Sequence, residues 1–269
     1  MAETRFYMHI ERATKTKGDI MEKEKIIAII PARYQSSRFP GKPLALLNGK
    51  PMIQWVYENV NRVEDIMDTY VATDDVRILN SVKDFGGKAI MTSSEHRSGT
   101  DRIAECVDIL KLDENDIILN VQGDEPLIQK EMMQDLISTI KDSESYMGTL
   151  KEKIRNTDDL ENPNIVKVIT NIHNNAIYFS RFPIPYCREK TEKIDLYRHV
   201  GVYAYRVFFL KKYIKLPESM LEKAESLEQL RVIENGYTMK VKETKSISMG
   251  VDTKEQLKIV EEIMKREMK

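Results

Sequence analysis

The stretch IIAIIPARYQSSRFPGKPL, residues 26–44, decides how the chain is read. Its first part, IIAIIPA (26–32), is a short apolar run ended by a turn signal, the pattern of a buried strand. The part that follows carries Arg33, Arg38 and Lys42 within ten positions but a single glycine, Gly41. A loop at the carboxyl end of a buried strand is where α/β proteins often hold phosphates. Such loops usually rely on several glycines, whereas this one offers cations and two prolines. It is no Walker A motif, which needs glycine at Ser36 and Ser or Thr at Pro43. The plain alternative is a solvated basic turn. Against it, the cations follow a buried strand and the prolines stiffen the loop, so charges are held at lower entropic cost. Arginine forks beside a lysine point charge suit a polyanion, and a nucleoside triphosphate is the expected one.

Outward from this stretch, the first half alternates strand and helix patterns. PMIQWVYENVNRV (51–63) reads as a helix, with Ile53, Val56, Tyr57 and Val60 on one face. Strands follow at 69–74, 88–92 and 116–126, and helices at 75–85 and 99–110, the last capped by Ser98 or Thr100. This alternation implies right-handed crossovers and a mostly parallel sheet, with ligands beyond the carboxyl ends of its strands. Four polar clusters fall there: 33–42, Asp74–Asp75, SSEHRSGTDR (93–102) and QGDEP (122–126). After about residue 145 the texture changes. SYMGTLKEKI, IVKVIT, AIYFSR and YRHVGVYAYR read as strands, 207–214 and 219–235 as helices, 238–244 as a strand and 253–268 as an amphipathic helix. No Pro/Gly/Ser-rich linker intervenes, so two lobes sharing one sheet are expected.

Bulk properties narrow the function classes. Lysine and arginine number 42 against 43 acidic residues, so no basic surplus drives nonspecific nucleic-acid binding. No apolar run approaches the roughly 18 residues needed to span a bilayer, so membrane insertion is not expected. Cys106 and Cys187 form no CxxC pair and are read as two buried free thiols of a reducing compartment. Residues 1–22 are polar and without periodicity, and are expected to be a disordered or adventitious tail. The KGDI before Met21 fits a purine-rich ribosome-binding sequence, so translation is expected to start at Met21. An intact mass of native protein that includes Met1 or Ala2 would exclude that.

QGDEP ends a strand, and side-chain alternation predicts that one of Asp124 and Glu125, not both, faces a site. Asp252 in GVDT is a second isolated carboxylate, whose plain reading is a helix cap. Together with a cationic loop, two such carboxylates supply what Mg²⁺-assisted nucleotidyl transfer needs: hard oxygen ligands and cations for a departing pyrophosphate. HRSGTDR (96–102) sets Ser98, Gly99 and Thr100 at a helix start, where backbone donors meet a base or phosphate. Arg181, His199 and Tyr203 lie on strands, and Glu228 and Gln229 adjoin in ESLEQLR, read as helix. No GxSxG elbow, HExxH helix or Cys/His pair is present, so no covalent intermediate is indicated.

Taken in order, PARYQSSRFPGKPL, VATDD, MTSSEHRSGTDRIAE, NVQGDEP, NPNIVKV, YFSRFPIPY, YRHVGVYAY, ESLEQLR and GVDT resemble the 3-deoxy-manno-octulosonate (Kdo) cytidylyltransferases. The resemblance runs from about Ile26 to the C-terminus, and NVQGDEP, RHVG and LEQLR are its most specific parts. Phe39 and Phe182 depart from the residues common at their positions. The resemblance implies a three-layer α/β nucleotidyltransferase (Rossmann-like) fold with a mostly parallel central sheet and a smaller sugar-binding and dimerisation lobe. Residues 23–269 would form one domain: 23–145 mainly nucleotide-binding, 146–250 mainly sugar-binding and dimerisation, 251–269 a C-terminal helix. It implies the reaction of CTP with Kdo to give CMP-Kdo and pyrophosphate, in a cytoplasmic homodimer serving lipopolysaccharide synthesis. By the same resemblance Lys42, Arg33 and Arg38 are catalytic, and Ala32, Arg33, Gln122, Ser98, Gly99 and Thr100 bind nucleotide. Arg181, His199, Tyr203, Glu228 and Gln229 match the sugar pocket, with Arg181 facing the sugar's carboxylate, and Asp124 and Asp252 match Mg²⁺ ligands. Two rivals remain at this stage: transfer to 8-amino-8-deoxy-Kdo or another acidic sugar, and a nucleotide sensor that lost catalysis. Intact Lys42, Asp124 and Asp252 argue against the sensor.

Overall fold

The computed structural model describes residues 24–35, 38–189, 194–247 and 249–267. The expected tail, with Met21, and Ser36 of the basic loop lie outside the described residues. The chain begins with β1 (Ile26–Ala32), a single 3-10 turn at Lys42–Leu44, and a short hairpin of β2 (Leu46–Leu47) and β3 (Lys50–Pro51). There follow α1 (Met52–Asn61), β4 (Asp68–Thr73), α2 (Val76–Asp84), β5 (Ala89–Met91), α3 (Gly99–Ile109), β6 (Ile117–Asn120) and α4 (Lys130–Lys141). The second half adds β7 (Met147–Lys153), α5 (Asp158–Glu161), β8 (Lys167–Thr170), β9 (Ala176–Ser180) and β10 (Tyr197–Arg206). It closes with α6 (Val207–Tyr213), α7 (Met220–Glu225), α8 (Leu230–Glu234), β11 (Lys240–Glu243) and α9 (Lys254–Glu267).

One sheet of nine described strands carries both halves, in the order β11-β7-β10-β6-β1-β4-β5, with β8 paired to β10 and β9. Strand β1 runs parallel to β4 and β6, and β4 parallel to β5, whereas β10 is antiparallel to β6 and β7. The chain leaves β1 toward β5 and then crosses back to place β6 on the other side of β1. That reversal is a switch point, where the loops after β1 and β6 part and leave a crevice. The basic loop and QGDEP are those two loops.

Burial on both faces explains the unbroken apolar run of β1. Ala28 and Ile30 join a core with α1, α2 and α4, while Ile27 and Ile29 join one with α3, α6 and α8 on the opposite face. A third, small core packs Phe39 of the basic loop against Met52, Val251, Val260 and Met264. It seats α9 and the segment bearing Asp252 beside the basic loop. No helix among the described residues is long and apolar enough to cross a membrane.

Helix α4 is absent from the sequence reading, although Met132, Met133, Leu136, Ile137 and Ile140 repeat at helical spacing and are buried. The single helix expected over 219–235 is instead α7 and α8, separated where Ser226 adopts a left-handed conformation at φ 51°. Glu228 and Gln229 therefore lie on the connecting turn rather than within a helix. Of the two thiols expected to be buried, Cys106 is, while Cys187 is partly exposed.

Candidate functional site

The basic loop is shaped before it is charged. Gly41 takes φ 70°, and its N–H donates to the Tyr34 carbonyl at 2.8 Å. A β-carbon there would meet the Tyr34 ring at 3.1 Å, so glycine is required for the turn. Opposite, Gly123 of QGDEP lets the two loops close: a β-carbon would sit 3.0 Å from the Pro31 carbonyl oxygen. The chain after β11 is tied in by the Val251 N–H, which donates to the Asp124 carbonyl at 2.8 Å.

These constraints bring Lys42, Asp124 and Asp252 to one point. The Lys42 ammonium lies 2.6 Å from an Asp124 oxygen and 3.0 Å from an Asp252 oxygen, and Arg38 pairs with the other Asp252 oxygen at 3.1 Å. Burial alone would lower the pKa of Lys42, but the carboxylates of Asp124 and then Asp252 outweigh it and hold the ammonium above its ordinary value. The Asp252 carboxylate is not a helix cap. Gln256 fills that role in reverse, its Oε1 accepting the Asp252 N–H at 2.7 Å and the Thr253 N–H at 3.1 Å. Thr253 Oγ1 in turn accepts the Gln256 N–H, which is capping-box reciprocity at the start of α9.

Two cavities meet at this cluster and share Arg38, Asp124 and Asp252. The smaller, about 330 Å³, is lined by Ala32, Arg33, Lys42 and Gln122 from the loops after β1 and β6. The larger, about 560 Å³, reaches past Glu125 to Asn162, Asn164, Arg198, His199, Gly201 and Gln256. Asp124 and Glu125 of QGDEP both line the larger cavity, so the alternation argument does not choose between them. Strand β6 ends at Asn120, and Asp124–Glu125 lie in a turn where the two-residue period no longer applies.

A second group of expected residues gathers at the start of α3. Ser98 caps the helix in a capping box with Asp101, and Thr100 Oγ1 donates to Glu228 Oε2 at 3.1 Å. Burial raises the Glu228 pKa despite that hydrogen bond and nearby Arg231. Arg33 lies within the field of the same carboxylate, and burial followed by neighbouring Arg102 pushes its guanidinium below the ordinary value. Arg102 is itself wholly buried and anchored to Asp74 at 2.8 Å. One Arg33 nitrogen, Nη2, is buried without a hydrogen-bond partner among the described residues. Gln122 donates to Asn120 Oδ1 at 3.2 Å, and Gln229 is buried at the head of α8.

Strand β10 carries the third group. Its pairing with β7 shifts register between Val200 and Tyr203, a bulge that turns the strand beside the larger cavity. His199 Nε2 lies 2.9 Å from Thr149 Oγ1, and its ring packs edge-on against Phe179 and tilted against Tyr203. Burial, with a smaller push from Arg198, lowers the His199 pKa to about 3, so the imidazole is neutral at ordinary pH. Burial likewise raises the Tyr203 phenol well above its usual value.

Arg181 lines neither cavity. Its guanidinium donates to the carbonyls of Pro163 at 3.0 Å, Glu225 at 2.7 Å and Ser226 at 3.3 Å, which fastens β9 to the turn before Glu228. Arg198, Asn162, Asn164 and Gln256 line the larger cavity and have no site role in the sequence reading. For Gln256 a signal existed, the T-x-x-Q capping pattern directly after Asp252.

A switch-point crevice with fixed cations and two converging carboxylates places the chain among α/β nucleotidyltransferases. The family model described as "Cytidylyltransferase" matches residues 27–247. The 3-deoxy-manno-octulosonate cytidylyltransferase of Thermodesulfovibrio yellowstonii is 52% identical over 248 residues, covering 88% of this chain and 97% of the relative. The 8-amino-3,8-dideoxy-manno-octulosonate cytidylyltransferase of Shewanella pealeana is 48% identical over 238 residues, covering 88% and 97%. A solved structure of CMP:2-keto-3-deoxy-manno-octonic acid synthetase complexed with CTP superposes with a TM-score of 0.86 at 45% identity, covering 91% of this chain and all of that one. The chain belongs to the cytidylyltransferase family and, within it, to the Kdo cytidylyltransferases.

Proposed function

We propose that the protein transfers CMP from CTP to the anomeric hydroxyl of Kdo, giving CMP-Kdo and pyrophosphate for lipopolysaccharide synthesis in the cytoplasm. The observation that carries this reading is the convergence of Lys42, Asp124 and Asp252 at the junction of two cavities. The smaller cavity takes the nucleotide. Arg33, Arg38 and Lys42 hold the triphosphate and neutralise charge as pyrophosphate departs. The larger cavity takes the acidic sugar: Arg38 and Arg198 supply positive charge for its carboxylate, and neutral His199 offers a hydrogen bond to a hydroxyl. In the transfer the anomeric hydroxyl releases its proton to solvent as its oxygen bonds to the α-phosphorus, the bond from that phosphorus to the oxygen bridging to the β-phosphate breaks, and pyrophosphate keeps the electron pair.

Asp124 and Asp252 would hold Mg²⁺. Their oxygens converge on one ammonium, and no group of three or more His, Cys, Asp or Glu that could hold a metal occurs among the described residues. That set fits Mg²⁺, which uses one or two carboxylates with substrate phosphates completing its shell. When bound, the ion draws charge from the triphosphate oxygens and helps orient them. An expected homodimer would form through the face around β8 and β9, where Ile172, Phe182 and Tyr186 are strongly exposed. A sedimentation mass of one chain at micromolar concentration would remove the dimer.

The Shewanella relative favours a second reading, transfer to 8-amino-8-deoxy-Kdo. One experiment separates the readings: pyrophosphate release from CTP and Mg²⁺ with Kdo, its 8-amino analogue and sialic acid in parallel. Fastest release with Kdo is expected. Preference for the amino sugar would move the assignment to the second reading, and tight CTP binding without release would favour a sensor.

A further inference from the structure

Lys167, at the start of β8, is wholly removed from solvent. Its ammonium donates to the carbonyls of Arg181 at 2.6 Å, Ile165 at 2.7 Å and Asn162 at 3.0 Å, and it forms no ion pair among the described residues. An ammonium has three donors, and here each meets a neutral backbone acceptor. Burial pushes its pKa below the ordinary lysine value. A cation sited at such desolvation cost is tolerated when every donor is satisfied. Its partners are unusual for what they build rather than for their strength.

Two of the three carbonyls belong to the 162–166 turn, which supplies Asn162, Asn164, Ile165 and Val166 to the wall of the larger cavity. That turn also accepts the His199 N–H through the Val166 carbonyl at 2.7 Å. The third carbonyl belongs to Arg181, whose guanidinium holds Pro163 of the same turn and Glu225 and Ser226 before Glu228. Lys167 thus ties the 162–166 wall of the cavity to the end of β9 while lining no part of the cavity itself.

We propose that Lys167 is a positioning residue for the acidic substrate, its ammonium gathering three carbonyls to fix the 162–166 wall of the larger cavity and the backbone of His199. The proposal rests on the reading that this cavity takes the sugar. A neutral side chain of similar length would fill the volume and leave the carbonyls to turn outward. The wall would then loosen, while the basic loop and QGDEP, with which Lys167 makes no hydrogen bond among the described residues, would keep the nucleotide side intact.

The test uses the full chain with Lys167→Met, which matches length and removes the buried charge, and Lys167→Gln, which keeps a neutral amide NH₂ as donor should the methionine variant fail to fold. Hydrogen exchange without substrates is the first readout. Amides of 162–166 should exchange at least about tenfold faster in the variant while β1 keeps its wild-type rate. Steady-state kinetics is the second. The KM for the acidic sugar should rise roughly tenfold or more, with the KM for CTP within about twofold of wild type. Unchanged exchange at 162–166, or an equal rise in both KM values, would overturn the proposal, as would a lowered melting temperature with neither effect. Should wild-type protein not turn over Kdo, the substrate reading fails, and the exchange result still decides the positioning claim.

Discussion

The smaller cavity is walled by residues from 31–35, 38–43 and 122–124, whereas the larger one draws on 162–166, 198–201 and 249–256. The first is made from two loops that follow neighbouring parallel strands, so strand order alone brings them together. The second is assembled from a turn, a bulged antiparallel strand and the approach to a C-terminal helix. Its geometry depends on backbone carbonyls held by Lys167 and Arg181 and on the register shift in β10. Charge fixed on a local motif thus serves the side proposed for the nucleotide, and tertiary hydrogen bonding shapes the other side. Variants on the two sides should accordingly fail in different ways.

At the shared rim both sides fail together, and the effect is largest. Asp124→Ala should abolish Mg²⁺-dependent pyrophosphate release, and turnover near wild type would end the metal assignment. Lys42→Ala should lower kcat by roughly two to three orders of magnitude, as for the loss of one preorganised charge. A drop below about tenfold would reduce Lys42 to a partner of the two carboxylates. On the larger side alone, His199→Asn should raise the sugar KM about tenfold, near 1.4 kcal/mol, and leave the CTP KM unchanged.

The same variant carries a pH signature. In the fold the His199 pKa is lowered to about 3, by burial first and Arg198 second, against an ordinary 6.5. Between those values the unfolded chain binds the extra proton, so stability rises with pH across that window. The contribution is complete above the ordinary value and lost as pH falls toward the folded one. Urea midpoints measured down that range should decline less steeply for His199→Asn than for wild type. The smallest effect is expected at Gln256→Ala, which frees the Asp252 backbone. Its kcat should fall only a few fold, with about 1 kcal/mol of stability lost from the start of α9, read by thermal melting.

Much of the first half could be read from sequence because its elements are local. β1 spans the predicted Ile26–Ala32, and Ser98 caps α3 as one of two candidates. Asp124 and Asp252 were legible as isolated carboxylates, and the structure adds that Lys42 lies between them. What escaped has physical reasons. α4 has a readable period in Met132, Met133, Leu136, Ile137 and Ile140, but no Ser, Thr, Asp or Asn cap precedes it, since Gln129 holds that position without a side-chain hydrogen bond. The break at Ser226 rests on one left-handed residue with no glycine to announce it. Arg181 looks like a carboxylate partner by residue type, yet its donors go to three backbone carbonyls, which sequence does not reveal. Arg198 and Asn164 face the larger cavity only because β8 and β10 pair at Lys167 and Arg198.

The central claim is that nucleotide and acidic sugar occupy separate cavities and meet over Asp124 and Asp252. A crystal structure with CTP, Mg²⁺ and a Kdo analogue lacking the anomeric hydroxyl tests it most directly. The account predicts the triphosphate against Arg33, Arg38 and Lys42, the metal on Asp124 and Asp252, and the sugar beside His199 and the 162–166 turn. A sugar bound away from that turn, or a triphosphate in the larger cavity, would contradict it.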